Sequence, residues 1–179
     1  LITRTIIGLR IVRVKAASAL CEKRSGKCNR KVTSQARQGG VMKKGAQFSE
    51  CKKYRYALWR TWGEGHLMFV GLNPSTADET QDDPTIRRCI GFAKREGYGG
   101  IYMLNLFAFR GTDPNCLYEA DDPIGPQNDE HLLMYFKQCG RAIAAWGSHK
   151  LAKNRACDLL CKISTLNPIG PHFMCFGWN

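Results

Sequence analysis

Residues 67–78 read LMFVGLNPSTAD, and this stretch decides the fold class. Four apolar residues run directly into glycine, asparagine and proline, which is typical of a buried strand that ends in a tight polar turn. In open α/β sheets, ligands bind beyond the carboxyl ends of the strands. We therefore expect the turn to line a site, where the Asn73 amide can donate and accept hydrogen bonds. The alternative is that Asn73, Ser75 and Thr76 only build the turn and cap a helix.

Apolar runs alternate with helical patterns along the rest of the chain. Asp83 and Pro84 predict the N-cap and first position of a helix. Four strands that alternate with three helices predict a three-layer α/β/α sandwich with a four-stranded parallel sheet. An aromatic segment at 54–59 predicts an edge strand in a hairpin with the strand at 67–70. The other strands are predicted at 101–106, 142–146 and 173–176, and the other helices at 127–139 and 149–163, with a short one from 113 to 117.

Positive charge is concentrated at the start of the chain. Residues 1–41 contain ten Lys or Arg and one acid, whereas residues 42–179 contain seventeen and fourteen, which together give the net charge of +12. The first segment is basic and polar, which predicts a disordered tail. We expect native translation to begin at Met42 and a single domain to span 42–179, with an organelle-targeting peptide as the alternative for the first segment.

The nine cysteines indicate neither a disulfide framework nor a zinc site. Their number is odd, no C-x-x-C pair occurs, and no histidine stands at ligand spacing from Cys157 and Cys161. Buried thiols in a cytoplasmic protein are the expected explanation. The sequence also has no apolar run long enough to span a membrane. We expect a monomer without cofactor or metal, with DNA or a nucleotide as its partner and no protein partner that the sequence identifies.

Most of the chain after residue 42 resembles the uncharacterised bacterial family named domain of unknown function 1643. The resemblance identifies a family without an activity. It rests on the segments 54–59, 71–78, 82–89, 105–110 and 145–147.

Three strand-end motifs are similar, in the same order, to those of the uracil-DNA glycosylase superfamily. They are GLNP at 71–74, YMLN at 102–105 and WGSHK at 146–150. The resemblance implies that Asn73 positions the attacking water and that Asn105 hydrogen-bonds a flipped base. An amide cannot take a proton from water, so hydrolysis would be slow. The small Ser75 implies a pocket that tolerates 5-substituted bases. The implied substrate-binding residues are Gly71, Leu72, Pro74, Ser75, Thr76, Asn105, Gly147 and Ser148.

One motif of that superfamily is missing. A loop with His-Pro is expected after the fourth strand, but the sequence ends at Asn179, and His172 precedes that strand. We therefore expect a C-terminally truncated chain that lacks the catalytic histidine. A non-catalytic nucleic-acid or nucleotide binder is one alternative that this leaves open.

The acidic loop at 78–83 supports another alternative, a metal-dependent enzyme that processes nucleotides or phosphates. Arg87 and Arg88 would contact phosphate in that case, although both also fit a solvated helix face. The loop charges would otherwise favour the N-terminus of the following helix.

Overall fold

The computed structural model describes residues 41–166 and the backbone of strands at 5–6, 9–12 and 173–177. The strands are β1 (Thr5–Ile6), β2 (Leu9–Val12), β3 (Lys43–Phe48), β4 (Arg55–Thr61), β5 (His66–Gly71), β6 (Gly100–Asn105), β7 (Ala142–Ala144) and β8 (Phe173–Gly177). The helices are α1 (Pro84–Arg95), α2 (Cys116–Glu119), α3 (Asn128–Cys139) and α4 (Lys150–Leu166). Within the described part of the chain, no helix is both long enough and apolar enough to cross a membrane.

The strands form one mixed sheet in the order β1-β2-β8-β7-β5-β6-β4-β3. Five of them, β3 to β7, lie within residues 41–166 and make an open sheet. The four predicted parallel strands are present as β8-β7-β5-β6, but β4 and β3 join this sheet antiparallel. The prediction of a purely parallel sheet is therefore wrong.

The predicted hairpin between 54–59 and 67–70 is also wrong. β4 pairs antiparallel with β6, and β3 covers its other side, so β4 is not an edge strand. The reason lies in the connection that follows β4. The N–H groups of Trp62 and Gly63 both donate to the carbonyl of Gly99, at 2.7 and 2.8 Å, which fastens this connection beside the start of β6.

The central strand β5 has β6 on one side and β7 on the other. The apolar face of α1 packs on one side of the sheet against a cluster that includes Leu67, Phe69 and Met103. Helices α3 and α4 pack on the opposite side, against Met68 and Val70. The connections from β5 and from β6 thus run on opposite faces, and such a switch opens a crevice at the carboxyl end of the central strand.

Helix α1 begins as the sequence predicts. The carboxylate of Asp83 accepts a hydrogen bond from the N–H of Ile86 at 2.8 Å, and Pro84 occupies the first turn. The cap satisfies one of the free N–H groups at the helix start. This prediction is confirmed.

A β-bulge interrupts β4 near its start. Gln47 pairs with Ala57, but the next residue, Phe48, pairs with Arg55, so Tyr56 is an extra residue in the strand. Tyr56 stacks on His131 of α3, with ring centroids 4.8 Å apart. Because of the extra residue, Arg55 points to the α1 side of the sheet, where it bonds to the carbonyl of Ala77.

Several predictions concern residues outside the described part of the chain. The proposed tail and start site fall largely within residues 1–40, which are described only at the two short strands. His172 and the segment after β8 also lie outside it. These predictions stay as stated.

Candidate functional site

The chain segments that leave β5 and β6 run side by side beyond the sheet. Gly71 and Leu72 accept hydrogen bonds from the N–H groups of Leu106 and Phe107, both at 2.9 Å. Further along, the N–H of Gly111 donates to the carbonyl of Pro74 at 3.0 Å. These bonds extend the parallel pairing past the strand ends and give the turn at 71–75 a fixed position.

Asn105 is the last residue of β6 and is 1% exposed. Neither Nδ2 nor Oδ1 of its amide has a hydrogen-bond partner among the described residues. It pairs in register with Gly71, and a Cβ atom at Gly71 would lie 2.7 Å from Oδ1. The absence of a side chain at Gly71 therefore leaves the space that the Asn105 amide occupies. Buried amides without partners are rare in folded proteins and need an explanation.

The backbone around Asn105 is held from the opposite face of the sheet. The fully buried Asn128 donates from Nδ2 to the carbonyls of Asn105 and Leu106, at 3.1 and 3.0 Å. Arg155 of α4 donates to the Leu106 carbonyl at 3.0 Å and forms an ion pair with Asp129. This cluster was not predicted, and the only local signal was polar residues among the apolar positions of the two helices.

The cluster also shifts the ionisation of its carboxylate. Partial burial tends to raise the pKa of Asp129, but hydrogen bonds from Arg155 and Lys162 outweigh it and lower the pKa below the usual value. Asp129 is therefore charged at neutral pH and balances the buried Arg155. The result is a rigid support beneath the end of β6.

Asn73 lies partly buried in the turn after β5. Its Nδ2 donates to the carbonyl of Gly111 at 2.8 Å, and Oδ1 accepts no hydrogen bond from residues 41–166. Ser75 is partly buried and Thr76 is exposed. The Nδ2 group of Asn73 therefore helps to build the turn, as the alternative predicts, whereas its Oδ1 does not. Helix α1 is capped by Asp83 rather than by Ser75 or Thr76.

The end of β7 meets the turn from the other side. The N–H of Ala145 donates to the carbonyl of Val70 at 2.7 Å, which places the following residues next to β5. Gly147 has a φ of 70° and is exposed, as is Ser148. The strand ends that carry the three predicted motifs therefore converge at one edge of the sheet.

The acidic loop at 78–83 is organised around one buried arginine. Arg60 is 0% exposed and donates to the carboxylate of Asp82 at 2.6 Å and to the carbonyls of Asp78 and Gln81 at 2.7 and 3.3 Å. Asp78 accepts N–H groups of its own turn, and Asp83 caps α1. Within the described residues, no group of His, Cys, Asp and Glu is arranged to hold a metal ion.

Arg87 and Arg88 lie exposed on α1. Arg87 donates to the carbonyl of Asp82, so it closes the same loop. The predicted phosphate contact of these two residues stays a prediction.

The model of one family, described as a protein of unknown function (DUF1643), matches residues 55–177. The chain belongs to the DUF1643 family. The match covers all three strand-end motifs, the acidic loop and the buried cluster of the DUF1643 domain. No curated protein and no solved structure matches the chain. The resemblance to uracil-DNA glycosylases gains no support from these comparisons.

Proposed function

We propose that the DUF1643 domain recognises a nucleobase at the carboxyl ends of β5 and β6. The observation that carries this proposal is the buried Asn105 amide, whose donor and acceptor both lack partners among the described residues. Leaving such groups unpaired costs roughly 1–3 kcal/mol each. A ligand edge that offers one acceptor and one donor would remove this cost on binding.

The chemistry of a uracil-type base matches this amide. Such a base carries adjacent carbonyl and N–H groups, and an asparagine can bond both at once. Asn128 fixes the carbonyl of Asn105, so little ordering of the protein backbone would accompany binding. A site held in this way discriminates well against ligands that lack the matching groups.

Hydrolysis of the N-glycosidic bond is the reaction that we propose for this site. With its Nδ2 bound to Gly111, Asn73 keeps Oδ1 available to orient a water molecule. The amide cannot act as a general base, so the reaction would be slow. Ser75 would leave room for a substituent at position 5 of the base.

The contacts of the acidic loop at 78–83 do not favour a metal-dependent enzyme. Its aspartates bond to Arg60, to the loop backbone and to the start of α1. Each therefore has a structural role that explains its position.

The test combines binding and base release. Uridine binding is measured by calorimetric titration of the full chain, and base release is measured from oligonucleotides that contain uracil, thymine or hypoxanthine. The variants are Asn73→Ala, Asn105→Leu and, as a matched control on an exposed asparagine, Asn154→Ala.

We expect Asn105→Leu to lose uridine binding, Asn73→Ala to retain binding but lose base release, and Asn154→Ala to behave like the unmodified chain. Binding without release from any substrate would identify a non-catalytic binder. Failure of the unmodified chain to bind uridine, or full binding by Asn105→Leu, would refute nucleobase recognition.

A further inference from the structure

Arg55 at the start of β4 is a buried cation without an anionic partner. It is 2% exposed, and no carboxylate of the described residues lies within ion-pair distance of it. Its Nη1 donates to the carbonyl of Ala77 at 2.6 Å, whereas Nε is buried without a partner. Nη2 also donates to no acceptor in this part of the chain. The Nε–Nη2 edge is therefore unused, and this edge binds carboxylate or phosphate through two parallel N–H groups.

A second arginine with the same property lies nearby. Arg110 donates to the carbonyl of Lys52 at 3.1 Å and lies over the ring of Phe48, but its Nε is buried without a partner. It likewise has no carboxylate partner among residues 41–166. Removal from water lowers the pKa of Arg55 to about 10. The charge of Asp83, which lies beyond ion-pair distance, acts in the opposite direction, and the charges of Arg110 and Arg60 add to the lowering. The buried Arg55 and the partly exposed Arg110 repel each other, and an anion bound between them would relieve this repulsion.

Both arginines border the turn after β5. Arg55 bonds to Ala77 at the end of this turn, and Gly111, which follows Arg110, bonds to Pro74 at its beginning. The N–H groups of Ser75 and Thr76 donate to no backbone carbonyl in the described region. Free backbone N–H groups of this kind add to the attraction for an anion.

From this arrangement we infer that Arg55 and Arg110 form a binding site for an oxoanion of the phosphate class beneath the turn at 74–77. The inference extends the proposed function, because Asn105 lies on the same face and at the same end of the sheet as Arg55. A nucleotide would then place its base at Asn105 and its phosphate at the two arginines. The site consists of residues other than Arg87 and Arg88.

The experiment titrates the full chain with inorganic phosphate, uridine and uridine monophosphate. The variants are Arg55→Gln, Arg55→Lys and Arg110→Gln, and the matched control is Arg141→Gln, which changes an exposed arginine just before β7. Circular dichroism establishes which variants fold. If Arg55→Gln does not fold, the partly exposed Arg110 decides the outcome.

We expect uridine monophosphate to bind more tightly than uridine, and Arg110→Gln and Arg55→Gln to weaken its binding roughly tenfold or more. The affinity of Arg55→Lys for uridine monophosphate should lie between that of the unmodified chain and that of Arg55→Gln, since lysine keeps the charge but not the paired N–H groups. Arg141→Gln should bind normally. Binding of inorganic phosphate without any preference of the monophosphate over uridine would identify a site for the free ion.

The two proposals fail separately. Uridine binding without any binding of phosphate or any preference for the monophosphate would overturn the anion site and leave base recognition intact. Phosphate binding that depends on Arg110, without uridine binding, would overturn base recognition and leave the anion site intact. Normal phosphate and monophosphate binding by Arg110→Gln would also overturn the anion site.

Discussion

Replacement of Asn105 by leucine is expected to stabilise the ligand-free chain while it removes ligand binding. Leucine has the same number of side-chain heavy atoms as asparagine, branches at the same Cγ atom and carries no polar atoms. The side chain is 1% exposed, and the neighbouring Met103 on the same face of β6 is apolar. The substitution therefore replaces two unpaired polar groups by apolar ones in surroundings that favour the latter.

The size of the effect follows from the two unpaired groups. Each costs about 1–3 kcal/mol when it is buried without a partner. Because the two methyl groups of leucine are bulkier than the amide and must be accommodated, we expect a net increase of about 1–3 kcal/mol in the free energy of unfolding. For a chain of this length, that corresponds to an increase in Tm of roughly 2–12 °C.

The assay is urea unfolding followed by circular dichroism, with Asn128→Leu as the matched control. Asn128 is equally buried and its Oδ1 also lacks a partner among the described residues, but its Nδ2 donates two hydrogen bonds to backbone carbonyls that would be left unpaired or weakened. Its replacement should therefore lower the free energy of unfolding by about 1–3 kcal/mol. If Asn105→Leu destabilises the chain as much as Asn128→Leu does, the Asn105 amide has partners in the free protein and the reasoning is wrong.

Three further predictions concern other positions. Gly71→Ala would bring a methyl group to within 2.7 Å of the Asn105 Oδ1, so we expect uridine binding to be lost in a calorimetric titration; normal binding would contradict this. The pKa of Asp129 is lower in the folded chain than its unfolded value of about 3.9. The stability that this shift contributes is complete above the unfolded pKa and is lost as the pH falls through the folded pKa. In urea unfolding, Asp129→Asn should therefore destabilise the chain more at neutral pH than near pH 3. A neighbouring serine hydroxyl lowers the pKa of the exposed Cys51, whereas burial raises the pKa of Cys89 to about 12. Mass spectrometry should therefore find iodoacetamide on Cys51 before it appears on Cys89, and equal labelling of the two would contradict this.

The elements of the parallel core could be predicted because their signals are local. Continuous apolar runs mark β5, β6 and β7, and Asp83 with Pro84 marks the start of α1. β3 was missed because its sequence, KKGAQF, has neither an apolar run nor clear alternation. Its glycine is required by packing, since a Cβ atom at Gly45 would lie 2.2 Å from the ring of Trp59.

The candidate site could be predicted only in part. Asn105 was identified because it ends an apolar run, and this position is visible in the sequence. Arg55 and Arg60 were not identified, because arginines in an aromatic strand look like solvent-facing residues of an edge. Their burial depends on the loop at 77–82, which is about 20 residues away in sequence, and no local pattern shows such contacts.

The bulge at Tyr56 decides which side of the sheet receives the guanidinium of Arg55. With one extra residue in β4, Arg55 and Leu58 point to the same side although they are three positions apart. If β4 paired regularly, with Tyr56 opposite Phe48, Arg55 would turn towards α3, while the pairing of β4 with β6 over 58–61 would remain. Deletion of Tyr56 alone would leave Arg55 opposite Phe48 on the α1 side, so a one-residue gap there in a related sequence would mark a sheet that keeps its anion-facing arginine and lacks only the ring stacked on His131.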